Sequence, residues 1–93
     1  MPYIKTGARV LYDEAINEII DTVRTNGNED GDLNYIISRI VVGSLKPATG
    51  WKYAIMARVI AVFECAKLEA YRRLAADYEN KAIGKNGDIE EYK

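Results

Sequence analysis

Residues 51–79, WKYAIMARVIAVFECAKLEAYRRLAADYE, contain neither proline nor glycine, and no other stretch of the chain is as long and as apolar. Nothing in the run breaks a helix, so the remainder of the chain must be organised around a long central rod. At about 100° per residue, Met56, Val59, Ile60, Phe63, Ala70 and Leu74 share one broad face with the rings of Tyr53, Tyr71 and Tyr78, the stripe an amphipathic helix buries. Lys67 falls in the middle of that stripe. An ammonium placed there has to pair with Glu64 one turn earlier, reach water along its own stem, or meet an anion from outside.

The first half of the rod is apolar on more than one side. Between Tyr53 and Phe63 only Arg58 is charged, and Ile55 and Val62 point away from the stripe just described. A helix that is apolar all round is buried all round. A domain of this size buries only about 60 to 65% of its unfolded surface. The missing cover is therefore expected from another copy, through the face carrying Ile55, Val62 and Ala66.

The preceding chain holds two shorter helices. Tyr12, Ile16, Ile19, Ile20 and Val23 have the spacing of a single buried stripe and predict helix one over 10–25, with Asp13, Glu14, Asn17, Glu18 and Asp21 on its wet side. The tract 26–32, NGNEDGD, is a loop in which Gly27 suits the left-handed conformation that ends a helix. It imitates the start of a calcium loop, but Ile37 stands where the bidentate glutamate should be. Asp30 or Asp32 is expected to cap helix two, over 32–45, which buries Leu33, Ile36, Ile37, Ile40 and Val41. Tyr35 and Arg39 sit one turn apart on another face, either as a packed surface pair or as an edge for a base or phosphate. The tract 46–50, KPATG, turns the chain, and Thr49 or Gly50 is expected to cap the rod. Residues 1–9 form an N-terminal arm, in which Tyr3 and Ile4 are apolar enough to dock. Beyond Glu79 the pattern dissolves into a C-terminal tail, 80–93.

The expected fold is all-α: one small three-helix domain, two shorter helices packed on one long C-terminal helix, with extended N- and C-terminal arms and a homo-oligomeric state. Thirteen basic against fourteen acidic residues leave a net charge of −1, which argues against duplex DNA as a partner. No apolar run spans a bilayer, and no signal-peptide pattern opens the chain, so the expected place is the cytoplasm. Cys65 is the only cysteine and is expected to be a buried, inert thiol. Histidine is absent, which removes the commonest general base and metal ligand.

Read together, MPYIK at 1–5, GDLNYIISR at 31–39, ECAKLEAYRR at 64–73, YE at 78–79 and NGD at 86–88 resemble a family of small, all-helical, uncharacterised proteins of tailed phages, prophages and some bacteria. The loop over 25–30 is longer than the family pattern carries. The resemblance implies no established activity. By analogy with other small phage oligomers it implies action on a host, by sequestering a signalling nucleotide or by binding a host protein.

The residues favour a binding protein. Lys67, Arg39 and Arg72 can hold phosphates, and Tyr71, Tyr78 and Tyr35 can stack on a base, with Glu64 the ion-pair partner of Lys67. In an oligomer these groups would converge at the interface and hold an anionic, nucleotide-derived ligand without converting it. No catalytic residue, metal or cofactor is assigned. Two other readings stand beside this one. The first is an oligomer that binds a host protein or is purely architectural. The second is a magnesium-dependent nucleotide pyrophosphohydrolase using the pairs Glu18 with Asp21 and Glu29 with Asp32.

Overall fold

A computed structural model describes residues 2–93, and the regular structure among them is helical, with no strand. Helix α1 spans Thr6–Thr25, α2 spans Asp30–Leu45, and α3 spans Tyr53–Ala70. A π turn over Tyr71–Ala75 leads directly into α4, Ala76–Asn86. Tyr71 and Ala76 keep right-handed helical backbone angles, so α3, the π turn and α4 are one rod. The expected count of three helices is therefore met by α1, α2 and this rod, but of the two shorter helices expected to pack on the rod only α2 does so. Met1 of the expected N-terminal arm lies outside the described residues.

The helix boundaries depart from expectation where local chemistry is permissive. Helix α1 begins at Thr6, earlier than Val10, and Gly7 lies in its first turn, where backbone N–H groups have no partner within the helix; Arg9 donates from Nε to the Ile4 carbonyl at 2.9 Å and ties the entry down. The chain leaves α1 through Asn26 and Gly27, and Gly27 has the positive φ of 102° that a glycine adopts freely. Helix α2 starts from Glu29 without a side-chain cap, and Asp30 and Asp32 occupy its first turn instead, where the helix dipole favours a carboxylate. Lys52, not Thr49 or Gly50, precedes the first residue of α3. The rod does not end at Glu79. Asp77 and Lys81 form an i, i+4 ion pair of 3.2 Å, Gly84 is accommodated, and the helix stops only at Gly87, with φ of 90° and its N–H on the Ile83 carbonyl. The tail proper is thus 87–93, closed by a 3₁₀ turn over Glu90–Tyr92.

Packing is sparse. Helix α2 lies against α3, whereas α1 makes no comparable helix contact and diverges from α2. Between α1 and α2 runs an apolar groove of about 530 Å³. Val59, 7% exposed, is the sole buried side chain among the described residues. Around it Val41, Val42 and Leu45 of α2 and Ile55 and Phe63 of α3 are half-buried. The face of the rod turned to α2 is therefore that of Ile55, Val59 and Phe63; it covers one edge of the predicted stripe, at Val59 and Phe63, and leaves the rest open, since Ile60 is 66% and Leu74 74% exposed and Met56, Tyr53 and Tyr71 are exposed too. The stripe of α1 is equally open at Ile16 and Ile20, as is that of α2 at Leu33, Ile37 and Ile40.

The consequence is an unusually large surface. The chain exposes 8383 Å², against about 5,400 Å² for a compact monomer of 10.5 kDa. Its radius of gyration is 17.7 Å, against about 12 Å for a compact domain of this length.

Val59→Ala removes the two methyl groups of the only buried side chain among the described residues. It is expected to lower unfolding stability by about 1.5 to 2.5 kcal/mol, measured by urea denaturation at one fixed protein concentration.

Candidate functional site

The rod positions the first group of predicted residues. The Lys67 ammonium meets Glu64 Oε1 at 3.1 Å, an i, i+3 pair along α3. Both ends are in water, since the Lys67 side chain is 69% exposed. The expectation that Lys67 sits within a buried stripe is therefore corrected: α2 covers the neighbouring face, and the face of Lys67 is open. Cys65 is exposed for the same reason, not buried as expected. It lines a shallow groove with Pro2, Arg58, Val62 and Ala66; the face expected to meet a second copy is thus open at Val62, whereas its Ile55 is turned to the chain's own α2.

The π turn holds Tyr71, Arg72, Arg73 and Leu74. An i to i+5 turn inside a helix loosens the ladder and re-aims the side chains that follow it. Arg72 is turned back onto Glu69, with Nη2 at 2.6 Å and Nε at 3.0 Å from the same Oε1. The Tyr3 hydroxyl donates to that oxygen at 3.1 Å. Residues 2–5 are thereby clipped onto the rod, a contact spanning most of the chain. Glu69 is 18% exposed, the least exposed charged group in an ion pair here. The Arg72 hydrogen bond holds its carboxyl below the ordinary glutamate value against partial desolvation, helped by the Tyr3 hydroxyl and the charges of Arg72 and Arg73. Arg72 is raised in turn, chiefly by its hydrogen bond to Glu69.

Helix α2 carries the second group. Arg39 Nη1 donates to the Tyr35 hydroxyl at 3.0 Å, and the guanidinium lies 5.7 Å from the ring centroid. This is a packed surface pair, with Tyr35 exposed. Tyr78, on α4, is 71% exposed. Tyr71 lines a groove of about 450 Å³ under the C-terminal tail with Ile83, Ile89 and Tyr92, and Lys67, Arg72, Tyr35, Arg39 and Tyr78 stand outside it. One chain thus forms three small constellations: Lys67 with Glu64, Arg39 with Tyr35, and Arg72 with Glu69 and Tyr3.

Glu18 and Asp21 line the wet side of α1 with Asp13 and Glu14, while Glu29 and Asp32 flank the start of α2. Among the described residues no three His, Cys, Asp or Glu side chains converge closely enough to hold a metal ion. No described helix is long and apolar enough to cross a membrane.

Sequence reasoning missed the Tyr3, Glu69 and Arg72 clasp and the π turn. The i, i+3 spacing of Glu69 and Arg72 was a signal for half of the clasp; a contact between the arm and the rod has no local signature.

A family model described as a domain of unknown function, DUF6899, matches residues 1–89. No curated protein and no solved structure matches.

Because the folded-state pKa of Glu69 is depressed, its share of stability is fully present above the ordinary glutamate value and is lost as pH falls through the lower, folded value. Tyr3→Phe is expected to move the Glu69 titration up towards the ordinary value, read by carboxyl carbon NMR. Glu69→Gln is expected to flatten the acid limb of the stability profile.

Proposed function

We propose, from the premise that this chain belongs to the DUF6899 family, that it works as a subunit of an obligate helical homo-oligomer which holds an anionic, nucleotide-derived ligand without converting it. The observation that carries the reading is the exposed surface of 8383 Å² around one buried residue. An open V of apolar helices is a poor monomer and a good building block, because each further copy removes apolar area from water at about 25 cal/mol per Å².

Exposed cations and rings on the rod and on α2 support the ligand class. Glu64 holds Lys67 only in a water-exposed i, i+3 pair, the kind that contributes little and that a phosphate can displace. Tyr71 lies one turn further on, and Arg39 with Tyr35 offers a fork of donors beside a ring. Copies brought together could close these half-sites into one pocket. In a phage setting such an assembly would act as a sponge for a host immune messenger.

A second reading has its own support. Lys67 is satisfied within its own chain by Glu64, as expected of an oligomer that is architectural or binds a host protein.

Native mass spectrometry of protein purified from cells separates the two. The expected spectrum is a multiple of the 10.5 kDa chain with a retained small molecule, and Lys67→Met is expected to weaken nucleotide binding about 10- to 100-fold. A folded single subunit at micromolar concentration would overturn the oligomer. An oligomer that retains nothing and binds none of a panel of linear and cyclic nucleotides would favour the second reading.

A further inference from the structure

We infer that the groove between α1 and α2 receives the long C-terminal rod of a second copy, and that the exchange is reciprocal. The inference rests on the homo-oligomer reading and assigns its surfaces. The groove is walled by Ile16, Ile20 and Val23 on one side and by Leu33, Ile36 and Ile40 on the other. These are the stripes by which α1 and α2 would bury themselves, and no segment among the described residues fills the space.

Charge selects the occupant. Residues 6–45 carry seven carboxylates against three arginines, so two copies of this hairpin placed face to face would repel. Residues 53–86 carry six bases against four acids. A rod laid against a hairpin brings opposite net charges together around an apolar seam, which favours that pairing over hairpin against hairpin.

Area sets the form of the exchange. Each chain exposes about 3,000 Å² more than a compact monomer of its size. An obligate dimer buries about 1,000 to 2,500 Å² per partner, so one face per chain does not absorb the excess. In a reciprocal exchange each chain is covered twice, once in its groove and once along its rod at Ile60 and Leu74. A two-fold axis relates the two contacts and closes the assembly.

The test places a photo-crosslinking amino acid, p-benzoylphenylalanine, at Ile36 in the full chain, mixes isotopically heavy and light copies, and maps products by mass spectrometry alongside sedimentation. Heavy-to-light crosslinks from position 36 into residues 53–86 are expected. Crosslinks from position 36 to α1 or α2 of another copy, or only within its own copy, in a preparation that sediments as an oligomer, would overturn the exchange and leave the oligomer reading standing. A monomer in sedimentation would overturn both.

Discussion

One contact, α2 against the first half of the rod at Val59, holds two helices of this chain in a defined relation. It dehydrates a single side chain. Two or three half-buried neighbours on each side fix the orientation of α2 but bury too little area to oppose the conformational entropy of ordering some ninety residues, which runs to about 1 to 2 kcal/mol each for backbone alone. The remaining structure follows from that imbalance. Helices whose apolar stripes have no cover among the described residues hold those surfaces out to solvent.

The elements were readable because helix signals are local. The unbroken run from Trp51, the periodic isoleucines of 10–25 and Gly27 after Asn26 each act over one or two turns, and each appears where expected. The faces were less readable. Ile55 and Met56 are adjacent in sequence but about 100° apart on the rod, and the rod is apolar on both sides. Periodicity shows that a stripe exists without saying which part of it α2 covers. It covers the edge at Ile55, Val59 and Phe63; Lys67, whose spacing puts it in the same stripe, pairs with Glu64 in water as one of its expected outcomes, and Cys65, expected to be buried, is exposed. The underestimate of the rod's length had a different origin. Gly84 reads as punctuation, yet its cost of about 1 kcal/mol did not stop the helix, and the chain turned only where Gly87 adopts a positive φ.

The candidate ligand residues divide along the same line. Pairs within a turn or two, Glu64 with Lys67 and Tyr35 with Arg39, formed as their spacing required. The clasp of Tyr3 on Glu69 spans most of the chain and depends on where the N-terminal arm crosses the rod, a property of topology that no local pattern encodes. It also changes the meaning of Arg72. A guanidinium that looks free on a helical wheel is here turned to a carboxylate that is mostly withdrawn from water, so any phosphate would have to compete with Glu69 and, through it, with the docked arm.

The π turn bears on both the candidate site and the proposed exchange. Wherever an i to i+5 turn replaces an i to i+4 turn, it takes up one extra residue, and the helix beyond it is re-phased by about 100°. A straight wheel therefore aligns Tyr53, Ile60, Tyr71 and Tyr78, while the rod rotates α4 away from the line of α3 after Ala75. Residues before the turn present one direction and residues after it another. A single flat partner cannot follow both faces, but two elements that diverge from each other can. Helices α1 and α2 diverge from the loop that joins them, so in the proposed exchange a rod with a rotated second half would meet two walls that are not parallel.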